Sequence, residues 1–570
     1  MKVKRPKRLP ATVFNGLNPD LPKNLKSIHS VVDEKGHNTG HLLVMAADRY
    51  GNDVAVTLEV KELALGRCDA LAHFAVKAGF TEYLSPKGLR TLATHLLAYE
   101  GQPAYVARRS GYHCLTIKGQ RYGFLVLNEV VYPLGEMPPV VVAVVIESGA
   151  SLEPSGALAD WDAAIGVHLS ANPYMLISVL AALASALVRA FGLNAPILAI
   201  VAPSSVGKTT IQQVGRSIRE RADKIDDASG TVNGLRIMME LNPDAPVFLQ
   251  DVHKLDDLSG VMGLLFLAAN GGQRLTSTAN QKLQAGAELA CGLSLSMEMS
   301  FMELVGNTRI TLPEGFSARC FEMVLQGPHG AFHKLPKGVS AHDFANQLKR
   351  ACGEHHGAVW AAWIPAIAKN AEKLREWLPE TIREEEATLL EGQHVKDRVT
   401  MRLVSGLAVW SAVGKLAINL KVLKLKHADV ENALRLVFLE HLGRQAHRTT
   451  PIGEKVITTV RDFIDRNANR FPALALFGRN DQNNVPGYTK GTGRELVYLF
   501  LLGELEKLLG EKFGLAMALQ KLDEAGFLVK NGEGMQVQMR LSNGLRKRFY
   551  GIRSSIRFDG DAEIIEMEAK

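Results

Sequence analysis

Cysteine is scarce in this 570-residue chain: Cys68, Cys114, Cys291, Cys320 and Cys352 are odd in number, scattered, and include no Cys-x-x-Cys pair. That usage argues against a disulfide framework and a zinc ribbon, and fits a reducing cytoplasm. Long apolar runs are missing too. The most apolar stretch, Tyr174 to Val188, is bounded by Pro173 and Arg189, falls short of the roughly 20 residues that span a bilayer, and reads as a buried helix. The opening MKVKRPKRLP is basic but leads into no apolar segment, so neither a signal peptide nor an anchor is expected, and no membrane partner. CGEHH at Cys352 to His356 has no second pair at zinc-ligand spacing; these residues read as helix surface, with no structural zinc. No internal repeat, Ser-His-Asp set, glycine-serine elbow or paired-carboxylate site stands out.

What is present divides the chain into several regions, since its length exceeds one core. Residues 1–24 read as a basic disordered arm. From 25 to 150, short β-type runs such as HLLVMAADRYGNDVAVTLEV and YGFLVLNEVVYPLG alternate with Gly, Asn and Pro, the pattern of a β-rich N-terminal domain. After the turn-rich ESGASLEPSG, helical spacing alternates with ILAIVA, PVFLQDV and ELACGLSLSM, so 157–340 is expected to be an α/β core with a sheet and crossover helices. Residues 341–445 are helical in pattern, 450–557 combine helices with a basic strand-like end, and 558–570 form an acidic tail. The formal net charge of +7 suits a polyanionic partner without requiring one.

The chemistry-bearing segment is ILAIVAPSSVGKTTIQQVGRSI. An apolar strand, a turn and Gly-Lys-Thr opening a helix are what a phosphate loop needs. Backbone N–H groups and the positive helix end cradle phosphates, Lys208 reaches the β and γ oxygens, and the Thr209 hydroxyl can ligate Mg²⁺. The nucleotide contacts expected are therefore Ala202, Ser204, Ser205, Val206, Gly207, Lys208, Thr209 and Thr210, with ATP and Mg²⁺ as cofactors. Ala202 stands where the pattern has its first glycine, a replacement expected to ask more of the backbone. A phosphate loop also needs an acid on a neighbouring strand, and PVFLQDVHKL supplies Asp251 after a buried strand, preceded by Gln250 rather than by a second acid. Either Asp251 holds the metal and a water-activating Glu is absent, or Asp251 takes that Glu's place and Gln250 stands on the metal side.

The ordered series SGYHCLTIKGQRYGF, ADWDAAIGVHLSANP, SSVGKTT, DASGTVNGL, PVFLQDVHKL, LAANGGQR, SLSMEMS and LPEGFSARCFEM resembles the phage- and plasmid-associated bacterial family catalogued as domain of unknown function 927, itself similar to helicases of the MCM and superfamily 3 type. The resemblance spans most of the chain. It implies an AAA+-like ATPase core, a helical lid and a homo-oligomeric ring, a hexamer being favoured. It implies Ser296 as a polar sensor, followed by Glu298, and Arg319 as an arginine finger offered to a neighbouring subunit. Arg398 or Arg402 would be a second sensor on the lid. QRLTSTANQKLQ reads as a hairpin bearing Arg274 and Lys282; related helicases place such a hairpin in the central pore, on a single strand, though a plain solvated hairpin fits equally.

Near the end, GLAMALQKLDEAGFLVKNGEGMQVQMR has the helix and glycine-punctuated strands of a winged helix, with Leu519, Leu522 and Phe527 on one side. Arg546, Lys547 and Arg548, next to Phe549 and Tyr550, suit phosphate contacts with DNA, while winged helices also dock proteins. The reading is a cytoplasmic, ATP-driven, ring-forming DNA helicase or replication initiator of a mobile element. The alternative is a nucleotide-gated DNA- or protein-binding module with weak or no ATPase.

Overall fold

The computed structural model describes residues 21–99, 101–146, 153–222, 226–227, 231–252, 257–269, 273–277, 283–306, 314–393, 395, 397–448, 452–476, 485–530, 534–541 and 545–557. Two compact units result, Met1–Leu439 and Glu440–Lys570.

The first unit begins with an antiparallel meander of β1 (Leu25–Val32), β2 (Asn38–Ala47) and β3 (Asp53–Glu59). Helices α1 (Val60–Ala64), α2 (Asp69–Ala78) and α3 (Pro86–Leu97) follow, then β4 (Ala104–Ala107). A three-stranded antiparallel sheet comes next, β5 (Gly111–Ile117), β6 (Gln120–Leu127) and β7 (Val130–Pro133), before β8 (Val141–Val144). β4 and β8 join the meander in parallel, giving the order β3-β2-β1-β4-β8. Alternation sets the two faces of this sheet. Leu42, Val44 and Ala46 pack with Phe74 and Leu92 of the helices, whereas Leu43 lies with Val106 and Ala143 on the other face.

The rest of this unit is built on a second sheet. α4 (Leu158–Ala164) and α5 (Pro173–Phe191) lead to β9 (Ile197–Val201) and α6 (Lys208–Ser217); β10 (Asp226–Asp227), α7 (Val232–Leu241), β11 (Pro246–Gln250) and α8 (Leu258–Ala269) follow. An antiparallel hairpin, β12 (Gln273–Ser277) and β13 (Leu283–Glu288), precedes β14 (Gly292–Met297), α9 (Phe301–Gly306), α10 (Glu314–Ser317) and β15 (Cys320–Val324). The sheet is wholly parallel, in the order β10-β11-β14-β9-β15. Parallel strands are covered on both faces by their crossover helices, which is why ILAIV is buried at every residue. α5 starts on Pro173, ends on the left-handed Gly192 and is buried nearly throughout. It and α13 (Arg398–Asn419) are long and apolar enough to cross a membrane, and both are mostly buried inside the protein. α11 (Ala341–Glu354), α12 (Ala358–Leu390), α13 and α14 (His427–Arg448) are the helices that follow the sheet. Asp397 caps α13 by accepting from the Thr400 N–H at 2.7 Å.

In the second unit, α15 (Ile452–Asn467), α16 (Leu502–Phe513) and α17 (Leu515–Glu524) cover a sheet of β16 (Gly487–Lys490), β17 (Val497–Phe500), β18 (Leu528–Val529), β19 (Val537–Arg540) and β20 (Arg546–Arg553). Leu519, Leu522 and Phe527 share one core with Phe500, Tyr550 and Ile552.

Candidate nucleotide site

In a parallel α/β sheet the loops that bind ligands leave the carboxyl ends of the strands. Register fixes which loops those are here. Ser296 and Met297 pair with Ile200 and Val201, and Leu249 pairs with Leu295. The chain therefore leaves β9 at Ala202, β11 at Gln250–Asp251 and β14 at Glu298 on one common edge. Lys208, Asp251, Gln250 and Ser296 are brought to that edge from segments up to about a hundred residues apart.

The loop from Ala202 to Gly207 has its left-handed residues at Ser205 (φ 64°) and Gly207 (φ 109°), not at Ala202. Ala202 is buried and donates its N–H to the Met297 carbonyl at 3.1 Å. The backbone demand expected at Ala202 falls instead on Ser205, where a non-glycine residue in this region costs on the order of 1–2 kcal/mol. Gly207 is required twice over: by its φ, and because a Cβ there would lie 2.7 Å from the Ala331 Cβ. Ala331 belongs to a strap after β15 whose N–H donates to the Val206 carbonyl at 3.0 Å. The strap is itself held by Asn172, whose Oδ1 accepts from the N–H of His333 and of Lys334 at 2.9 and 3.1 Å. In the sequence this segment, QGPHGAFHKLPKG, shows only its Gly and Pro content.

Lys208 opens α6, with Gly207 as its N-cap. Its Nζ donates to the carbonyls of Ala202 and Pro203 at 2.6 and 2.9 Å, so a cation is held at the mouth of the loop beside the helix's positive end. Thr209 is exposed and Thr210 buried. Gln212, unremarked in the sequence and fully buried, donates through Nε2 to the carbonyls of Leu249 and Ser294 at 3.0 and 3.1 Å. It ties α6 to β11 and β14 together. The bond rests on one amide reaching two neighbouring strands, a relation with no local sequence signal.

Asp251 follows β11 with φ 54°, a region that Asp tolerates better than most residues. Ser296 is buried in β14. Glu298, just beyond it, accepts a hydrogen bond from Ser204 Oγ of the loop at 2.5 Å. A hydroxyl at Thr209 and a carboxylate at Asp251 are hard oxygen donors of the kind Mg²⁺ takes, so the residues present fit that ion. Among the described residues no group of three or more His, Cys, Asp or Glu converges as a metal site.

Arg319 is not at this edge. Its carbonyl accepts the Ile197 N–H at 2.8 Å and Cys320 pairs with Ile197, which places it at the amino end of the sheet. The five residues of β9 separate that end from the loop by roughly 16 Å at about 3.3 Å per residue. Its Nη1 donates to the Gly315 carbonyl at 2.9 Å. Arg398 and Arg402 lie exposed on the first turns of α13. Arg274 lies in β12; Lys282 lies outside the described residues. Arg546, Lys547 and Arg548 form an exposed basic start to β20, paired with Arg540, Met539 and Gln538. Cys352 corrects the surface reading of CGEHH: it is fully buried in α11, and burial pushes its thiol up to about 12.

These features define a multidomain α/β protein with a strand–loop–helix site at the carboxyl edge of a parallel sheet. Over residues 75–287 the chain matches the model of the family described as domain of unknown function (DUF927). The fold is similar to that of SCCmec type IV Cch, described as an active helicase, with a TM-score of 0.57 over 95% of this chain and 95% of that one, at 13% identity. The apo A form of the NrS-1 C-terminal region aligns over 78% of this chain and 96% of that one at 9% identity, with a TM-score of only 0.28. No curated protein matches.

Proposed function

We propose that this chain is an ATP-driven, ring-forming DNA helicase or replication initiator of a mobile element, working in the cytoplasm. The observation that carries the reading is the register of the parallel sheet, which gathers Gly207-Lys208-Thr209, Gln250-Asp251 and Ser296 at one edge. In this reading residues 157–340 are an AAA+-like core, 341–445 its lid, 25–150 the N-terminal domain and 450–557 a winged-helix-like domain. The loop's N–H groups and Lys208 neutralise the phosphate chain, Thr209 and Asp251 hold Mg²⁺, and Ser296 orients water.

Arg319 sits at the opposite edge from its own loop, which suits a finger serving a neighbouring subunit in a ring, where a guanidinium offsets the charge that develops during phosphoryl transfer. DNA is gripped by Arg274 and Lys282 of the hairpin and loaded through Arg546, Lys547 and Arg548. The mobile-element part rests on the motif series shared with a phage- and plasmid-associated family. A strand-displacement assay tests the whole: a forked duplex should be unwound with MgATP by the wild-type protein and not by Lys208→Ala. Unwinding by Lys208→Ala, or none by either protein, would remove the proposal.

A further inference from the structure

The acid strand presents a difficulty. β11 ends on Gln250-Asp251, and an amide cannot take up a proton as a carboxylate does. Among the described residues Asp251 is then the one carboxylate leaving this strand at the site, and it cannot serve both as metal holder and as base toward water. A second carboxylate must come from another strand. β15 carries Glu322, but that residue pairs with Ala199 in mid-strand and its Oε1 is bound to the Phe301 N–H at 2.7 Å. β10 carries Asp226 and Asp227, yet β10 is the third strand from β9 in the order β10-β11-β14-β9, some 14 Å away at about 4.8 Å per strand.

β14 is the strand next to β9, and the residue that follows it is Glu298. Register sets Glu298 level with Ala202, at the start of the phosphate loop. Its Oε1 accepts from the Ser204 hydroxyl within that loop, and its side chain is half-buried. The loop thus holds this carboxylate at its own rim. We infer that Glu298, supplied from the sensor strand in place of a second acid on β11, is the general base that activates the hydrolytic water, with Ser204 as its positioning residue and Asp251 left to the metal. This assignment rests on the ATPase reading given above.

The step balances as a simple hydrolysis. The water oxygen forms a bond to the γ-phosphorus while the bond from that phosphorus to the β,γ-bridging oxygen breaks, and its electron pair leaves with ADP. Glu298 takes one proton from the water in the transition state and returns it to solvent. General-base assistance of this kind contributes about 10²–10⁴-fold in rate.

The test uses full-length protein, a fluorescent mant-labelled ATP analogue for binding and steady-state turnover of ATP, both with Mg²⁺. Glu298→Gln keeps the side chain's shape and its acceptance from Ser204. It should bind the analogue within about two-fold of wild type and lose at least about 100-fold in kcat, while Glu298→Asp retains partial turnover. Ser204→Ala should lower kcat several-fold, and Ser204→Thr, which keeps the hydroxyl, should restore it. Asp251→Asn should weaken Mg²⁺-dependent binding of the analogue as well as turnover. Wild-type turnover that survives Glu298→Gln within about three-fold would overturn the assignment alone, as would an Asp251→Asn protein that binds normally and no longer hydrolyses. Absence of turnover in the wild type would overturn both this assignment and the ATPase reading.

Discussion

Arg189→Met tests how the N-terminal sheet is fastened to the foot of the acid strand. Asp244 lies two residues before β11 with φ 57°, and its carboxylate is 1% exposed. It accepts from Arg189 Nε at 2.7 Å, from Arg189 Nη2 at 2.5 Å and from the Tyr112 N–H at 2.7 Å. Arg189 Nη2 also donates to the Tyr112 carbonyl at 2.8 Å. Gly111 lets the strand come this close, since a Cβ there would lie 2.6 Å from Asp244 Oδ2. Removing the guanidinium leaves a buried carboxylate with a single backbone donor among these contacts, and breaking a buried pair from one side costs about 3–5 kcal/mol. Asp244→Asn keeps a residue that tolerates the left-handed backbone and removes the charge, so the double variant should be less damaged than the two single losses added together, by about 1–3 kcal/mol. All five tryptophans (Trp161, Trp360, Trp363, Trp377 and Trp410) lie in the first unit, so intrinsic fluorescence during urea unfolding reports that unit alone. A loss below about 1 kcal/mol for Arg189→Met, the size expected of an exposed pair, would refute the reasoning.

Three further outcomes are expected. His113 has its Nδ1 on the Tyr105 hydroxyl and its Nε2 on the Arg109 carbonyl, and burial lowers its pKa to about 4. The fold therefore favours neutral imidazole: this contribution is complete above about pH 6.5 and is lost as pH falls toward 4, by up to ~3 kcal/mol. The first unit's urea midpoint should fall between pH 7 and 5, and His113→Phe should flatten that slope; an unchanged slope would contradict it. Mixing Arg319→Ala with Lys208→Ala subunits should restore part of the lost ATP turnover at mixed interfaces, whereas a strictly monomeric enzyme with full turnover would rule out action in trans. Replacing Arg546, Lys547 and Arg548 together should flatten the salt dependence of DNA binding by up to about three phosphate contacts and leave DNA-free ATP turnover unchanged; an unaltered salt slope would place the contacts elsewhere.

The parts of the site that could be read in the sequence are those whose physics is local. An apolar run, a turn and Gly-Lys-Thr before a helical pattern specify strand, loop and helix from 197 to 217 without reference to the rest of the chain, and QRLTSTANQKLQ carries hairpin spacing in the same way. The parts that could not be read depend on residues far apart. Nothing in the sequence joins Gly111 and Tyr112 to Asp244, or Gln212 to the carbonyls of Leu249 and Ser294, until the sheet brings them together. The strap at Gly330 and Ala331 meets Val206 through backbone, a contact that leaves no mark in the sequence. Ala202 drew attention through its departure from a motif, while the left-handed conformation lay at Ser205, a position the motif leaves unspecified. Cys352 was misplaced because CGEHH is polar around it, and the helix turns that one side chain inward.

The most direct measurement is ATP turnover by the full-length protein with Mg²⁺, with and without single-stranded DNA, beside the Lys208→Ala variant. The account predicts turnover by the wild type that rises when single-stranded DNA is added, and a loss to background in Lys208→Ala with its native tryptophan fluorescence retained. Wild-type turnover at background in both conditions, or equal turnover by Lys208→Ala, would contradict it and favour a nucleotide-gated binding module instead.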